Sequence, residues 1–387
     1  MSNPVVVRKG VSQSRNPRVA VQELHAAIAQ PDLKMAAFFC DPAYDLDVLA
    51  AALRETFGNV PLVGCTSAGE ITPDGYLSGS LTGFSLGGAG CEAVISMIPL
   101  DPFDHAHATQ QVTAARETLE KRTHVVPTPE TAFGFLLIDG LAMQEEMVVS
   151  CVHQELRGID VIGGSAADNV AFSATYQYFD GQFHQNIAIL SLVHLEVPFM
   201  AFRTQHFVKS STRMVVTKSD PANRVVHEIN GLPAGPEFAR LLGLSIPELT
   251  PLVFASYPVV VRIGGQYFVR AIATVNEDES LRFFCAIDDG VVLTVGTGVD
   301  MVQNLRQSFD EVRAKIGTPQ LVLGCDCVLR RLETERDGIK ESIGKIFVEN
   351  NVVGFATYGE QFNAMHVNQT FTGLAIGSPP TPTALAA

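Results

Sequence analysis

Apolar and polar positions along the chain form a pattern that recurs. Residues 35–40 are a short run, apolar throughout and ending at Asp41, as suits a strand buried on both faces. Leu46, Leu49, Leu53 and Phe57 then follow at helical spacing, and Gly58-Asn59 supplies a left-handed stop. Val60-Pro61-Leu62-Val63-Gly64 leads into a loop of small residues, Cys65-Thr66-Ser67-Ala68-Gly69-Glu70. Residues 81–86 read as a further strand.

The same order returns about a hundred residues later. Residues 132–138 are apolar and end at Asp139. Met147, Cys151, Val152 and Leu156 share a helix face, and residues 159–163 lead into Gly164-Ser165-Ala166-Ala167-Asp168-Asn169. A looser third copy has residues 321–325 ending at Asp326, and a stripe of Ile339, Ile343, Ile346 and Phe347. Val352-Val353-Gly354 then opens a loop ending in Tyr358-Gly359-Glu360. One such unit is too small to bury its own sheet face, so the copies are expected to share sheets.

The texture changes at the turn cluster Ser219-Asp220-Pro221-Ala222-Asn223, which marks a domain boundary. Short strands follow at 225–229, 259–263, 267–273, 281–285 and 291–295. Val302, Leu305, Phe309, Val312 and Ile316 then form a helical stripe. The fold class is α/β: mixed sheets flanked by helices, in two domains at 33–219 and 220–380 behind an N-terminal extension at 1–32.

Of 387 residues, 47% are apolar and 18% charged, which excludes disordered and fibrous classes. The net charge of −14, without any basic run, argues against nucleic acid and anionic membranes as partners. Seven scattered cysteines form no C-x₂-C pair and read as buried hydrophobes in a reducing cytoplasm. The first ten residues lack a signal-peptide core, and no run is long enough to span a bilayer. No nucleophile elbow, P-loop, dinucleotide fingerprint or H-E-x-x-H motif occurs, so no enzymatic role is expected.

The small-residue loops have two readings. Glycine there lets a ligand approach the backbone at a strand's carboxyl end, or it merely permits a sharp exit. Three equivalent loops favour a ligand site. Asp41, Asp139 and Asp326 read as helix N-caps, and Cys65 as a packed residue.

The motifs around Gly64–Glu70, Gly163–Asp168 and Tyr358–Glu360 resemble those of the FIST sensory domain, in both its N- and C-terminal halves. The stretches 205–231 and 358–370 look most like its nitric-oxide-sensing haem branch. The resemblance implies a signal-input protein that binds haem b non-covalently, senses nitric oxide and controls a histidine kinase, diguanylate cyclase or phosphodiesterase. It leaves homo-oligomerisation open. A FIST module taking a small metabolite such as an amino acid, without haem, is the alternative. The resemblance puts the cofactor near Tyr358, Gly359, Gly64 and Gly163. Among ten histidines, His206, beside Phe202 and Phe207, and His366, between Met365 and Val367, have the most apolar surroundings for an axial ligand. Tyr358 and Cys65 stand behind them.

Overall fold

The computed structural model describes residues 5–378, in which three equivalent α/β units surround one centre and a fourth sheet is inserted into the last unit. The first unit runs through strand Val6–Ser12, helix Pro17–Ile28, strand Leu33–Cys40, helix Leu46–Phe57 and strand Leu62–Thr66. A hairpin of Glu70–Thr72 with Gly75–Leu77 follows, then strand Leu81–Gly87. The second unit repeats this order from Cys91–Pro99 to Ile187–Leu195, with a hairpin of Gln177–Phe179 and Gln182–His184. The third begins at Phe199–Thr204, resumes at helix Met301–Ile316 and ends at Phe371–Ile376, with a hairpin of Glu360–Phe362 and Met365–Val367.

Each unit thus has a leading strand that the hydrophobic pattern did not reveal. Residues 6–28, set apart above as an extension, are the leading strand and helix of the first unit, and the strand pairs antiparallel along Leu81–Gly87. Arg8, Lys9 and Gly10 break the apolar run there. In the second unit, helix His105–Thr123 buries only Ala108, Val112, Ala115 and Leu119, a stripe half made of alanine.

The expected sharing of sheets takes a cyclic form. The first hairpin pairs with Val352–Thr357 of the third unit, the second with Leu62–Thr66 of the first, and the third with Val161–Ser165 of the second. Strands alternate faces. Phe39, Leu137 and Cys325 point into one central core, where Phe39 stacks on Phe355 at 4.5 Å. The outer faces are covered by helices. All seven cysteines are buried.

Register corrects one expected equivalence. Cys40, Ile138 and Asp326 occupy matching positions, opposite Thr66, Ser165 and Ala356. Asp326 is therefore one residue short of Asp41 and Asp139, which turns it to the outer face, where Arg330 Nε donates to it at 2.7 Å. Nor do these acids cap helices, since the N-caps are Asp45, Gln144 and Cys327. Asp139 instead ties loops together, accepting from the Leu141 and Asn186 amides and the Thr175 hydroxyl.

Between Phe199–Thr204 and Met301–Ile316, where the other units have short loops, residues 207–298 form an eight-stranded sheet with its own core around Met214, Phe238, Phe254 and Leu293. Strand Phe207–Asp220 bends through it by register shifts after Lys209 and Val216. The turn at Pro221–Asn223 links this strand to Val225–Ile229 within the same sheet. No helix among the described residues is long and apolar enough to cross a membrane.

Gly64 and Gly163 lie inside strands, and their role is close packing. A Cβ on Gly64 would meet the Phe38 ring at 2.6 Å, and one on Gly163 would sit 2.0 Å from the Leu136 carbonyl oxygen. Gly163→Ala should therefore cost about 3 kcal/mol or prevent folding. Gly264→Ala, with nothing within 4 Å but a φ of +58°, should cost about 1 kcal/mol. Denaturant midpoints compare the two, and equal losses would refute the packing account.

Candidate functional site

A cavity of about 540 Å³ lies where the second unit meets the inserted sheet. Gly140, Leu141, Met143, Phe172 and Tyr358 wall it from the three-unit core, and Asn223, Arg224, Ala273, Thr274 and Arg282 to Phe284 from the inserted sheet. Two other depressions, of about 400 and 700 Å³, lie against outer helices. Both arginines of the former are already bound, Arg54 to the Gly181 carbonyl and Arg122 to Glu92 and the Ala93 carbonyl.

The core side of the cavity is organised by Asp168. Its carboxylate accepts from the amides of Phe172 (2.8 Å), Ser173 (2.7 Å) and Ala174 (2.9 Å), from the Ser173 hydroxyl, and from the Tyr358 hydroxyl. Burial opposes its ionisation, but these donors, Tyr358 foremost, prevail and hold its pKa below the usual carboxylate range. Tyr358 Oη also accepts from the Val170 and Phe172 amides. The loop wrapped in this way is strained: Val170 has φ +76° and Phe172 φ +50°. For a β-branched residue this conformation costs about 1–3 kcal/mol and persists only where surrounding contacts enforce it. The result is to present Phe172, 46% exposed, stacked on Tyr358 at 4.5 Å and tilted against Phe284 at 5.9 Å.

The other wall is held by buried charge. Arg224 Nη2 donates to Glu145 at 2.5 Å and Glu146 at 2.7 Å, while Nη1 donates to the Phe284 carbonyl at 2.8 Å. The Ala286 amide donates to Glu146 as well. These contacts clamp the inserted sheet onto helix Glu145–Leu156. The Phe284 carbonyl also faces His366 Nε2 at 3.2 Å. A carbonyl only accepts, so Nε2 carries the proton. The neutral ring then leaves Nδ1 as a bare acceptor, buried without a partner. Burial lowers the His366 pKa, against the pull of Glu145 and Glu146.

The expected ligand residues are dispersed. Of the six, only Tyr358 lines the cavity. Gly359 lies under the His366 ring, whose Cε1 a Cβ would approach to 2.1 Å. His206 stands at the neck of the inserted sheet. Its Nε2 donates to Glu333 at 2.9 Å, and its Nδ1 accepts from Arg330 at 2.8 Å. Arg330 is fully buried between His206 and Asp326, which also accepts from Tyr76. Cys65 is in the central core, its thiol pushed well up by burial.

A histidine that holds haem iron needs a free imidazole lone pair facing a cavity. Both nitrogens of His206 are engaged, and the His366 ring does not line the cavity whose walls include Phe284 and Tyr358. His206 thus has no nitrogen free for haem iron, whereas His366 keeps an unpartnered Nδ1 but stands outside the wall of this cavity. No cluster of three or more His, Cys, Asp or Glu able to hold a metal occurs among the described residues. Phe172, Arg224, Arg282 and Phe284 carried no motif and were missed in the sequence; they meet only through tertiary packing.

The Gly-Glu loops are staples. Glu70 accepts from Ser67 and from both the amide and hydroxyl of Ser80; Glu360 does the same with Thr357 and Thr370. Burial raises their carboxyls to about 7 and about 8. Gln177 occupies the matching hairpin position in the second unit, opposite Cys65 as Glu70 is opposite Phe355 and Glu360 opposite Gly164.

Comparison with known proteins places residues 34–232 on the FIST N domain and residues 234–363 on the FIST C domain. The chain is 24% identical over 276 residues to the uncharacterized protein MJ1623 of Methanocaldococcus jannaschii, a match covering 62% of this chain and 53% of that protein. The chain thus spans about half the length of this curated relative. A crystal structure of cyanuric acid hydrolase from A. caulinodans aligns over 97% of this chain and all of its own, at 7% identity and a TM-score of 0.42.

Two outcomes check the site. Tyr358→Phe should cost about 1–3 kcal/mol, from the lost donor to Asp168 and the Val170 amide left without its partner. A depressed carboxylate stabilises fully above its unfolded pKa and ceases to as pH falls through the folded value. The gap between wild type and Tyr358→Phe should therefore narrow in acid, below about pH 4; a constant gap would refute the charge account. For Glu360 the sign reverses. The folded protein keeps a proton that the unfolded chain loses near about pH 4.3, so stability from this group falls as pH rises towards the folded value. Glu360→Gln should gain stability relative to wild type from about pH 4 to about pH 8, the window those two values set, and level off above it; thermal melts showing no such trend would count against a neutral Glu360.

Proposed function

The chain belongs to the FIST family of signal-transduction sensor modules, and from that premise we propose that its input is a small molecule bound in the cavity between the second unit and the inserted sheet. The observation that carries this reading is the position of Phe284. Its ring lies in the cavity wall, and its carbonyl holds both Arg224 and His366. A ligand that displaces the ring disturbs the clamp between the inserted sheet and helix Glu145–Leu156. Occupancy is thereby converted into a choice between two seatings of one body on another. The reading is of a binding module rather than a catalyst, because the Asp168–Tyr358 pair is spent on holding its loop. The output passes to a separate signalling enzyme, a histidine kinase or a cyclic-di-GMP cyclase or phosphodiesterase, as the family resemblance implies.

A haem-based nitric oxide sensor is the second reading, favoured by one observation: the bare, buried Nδ1 of His366. Purified protein titrated with haemin under anaerobic conditions tests it. A Soret band that shifts with nitric oxide and is lost in His366→Ala would establish it; a protein that refuses haemin would end it.

The small-molecule reading is checked by thermal shift against a metabolite panel that includes the amino acids. A ligand at about 100 times its Kd should add about 2.7 kcal/mol of stability. That gain should vanish in Phe172→Ala and be accompanied by changed hydrogen exchange in helix Glu145–Leu156. A ligand that stabilises wild type and Phe172→Ala equally would place binding elsewhere.

A further inference from the structure

Resting on the cavity reading, we propose that the ligand is a planar, anionic aromatic or heteroaromatic molecule, with its ring against Phe172 and Phe284 and its anionic group on Arg282. Three observations converge on this class.

The first is the aromatic wall. Phe172 is stacked on Tyr358 with an interplanar angle of 18° and still leaves nearly half its surface in solvent. A strained backbone holds it in place, so its exposure is imposed by the fold. Phe284 tilts at 40° against it from the facing sheet. Offset stacking favours a flat ring over a branched aliphatic body in such a place.

The second is the charge of the lining. It contains two arginines and no carboxylate. Arg224 is neutralised by Glu145 and Glu146. Arg282 makes no ion pair among the described residues, although the chain carries 41 acidic groups against 27 basic ones. An arginine fork open to the cavity recognises a carboxylate, sulfonate or phosphate. With no carboxylate in the lining, an ammonium group has no counter-charge, which sets free amino acids apart from this class.

The third is size. A cavity of about 540 Å³ falls within the range of small-ligand sites and accommodates one or two fused rings.

The test uses two fluorescent probes of nearly the same shape, anilinonaphthalene sulfonate and the uncharged phenylnaphthylamine, titrated into the full chain. Wild type should bind the sulfonate about tenfold more tightly, a difference typical of one charge-assisted contact. Arg282→Gln should erase that preference, Arg282→Lys should restore part of it, and Phe172→Ala should weaken both probes. Phe172 and Arg282 are exposed, and unchanged circular dichroism melts confirm that the variants fold. Equal affinity for the two probes in wild type, or a preference that survives in Arg282→Gln, overturns the anionic class and leaves the cavity standing. Failure of both probes to bind, or binding indifferent to Phe172→Ala, overturns the cavity reading itself.

Discussion

The structure depends on the exchange of hairpins between units. Each parallel strand pair ends at an edge that is completed only by the hairpin of another unit, and the exchange closes in a ring of three. An exposed edge would be open to foreign strands; here every one of these edges is satisfied within the chain. The exchange also interlocks the three loops. Ala68 N donates to Ala356 O at 2.9 Å and Ala356 N to Gly69 O at 2.7 Å, while Ser165 N reaches Gly359 O and Ala167 N reaches Thr66 O. Backbones this close leave room for Gly, Ala, Ser and Thr and little else. The small residues of the loops are therefore explained by packing before any ligand is invoked.

The cavity lies where the threefold repetition fails. Glu70, Gln177 and Glu360 are equivalent by pairing, yet the loop before Gln177 is much longer than the loops before the two glutamates. The extra residues fold around Asp168 and carry Phe172. The second departure is the sheet at 207–298, inserted in the third unit alone. The two additions face each other, and the space between them is the cavity. Repetition built the scaffold, and the two insertions supply what a symmetrical ring of loops lacks: two facing walls around a cavity.

This geometry explains what could be read in the sequence. Fully apolar strands followed by helical stripes, as at 35–57 and 132–156, announced themselves because both faces of each strand are buried. Their repetition, and the motifs that carry the family resemblance, were legible for the same reason. The leading strand Val6–Ser12 was hidden by its charged residues, and the bulged strand Phe207–Asp220 by exposed polar positions along its length. The site was harder to see. Apolar neighbours singled out His206, but a buried histidine among aromatic residues can equally be a satisfied link in an ionic chain, and only the partners Glu333 and Arg330 distinguish the two. Phe172 and Phe284 are 112 positions apart, and no local spacing could join them.

The inserted sheet is held to the core by buried charge at two places: His206 and Arg330 at its neck, and Arg224 with Glu145 and Glu146 beside the cavity. Apolar contacts loosen gradually, but a buried ion pair resists partial opening, because each desolvated charge needs its partner at full contact. Such anchors add little net stability. They do make the seating of the sheet all-or-none, since an intermediate position would strand Arg224 or a glutamate without compensation. The neck anchor lies away from the cavity, whereas the Arg224 anchor shares the Phe284 carbonyl with the cavity wall. Of the two, the Arg224 anchor is therefore the one in direct reach of the cavity, and the neck contacts hold the sheet independently of it.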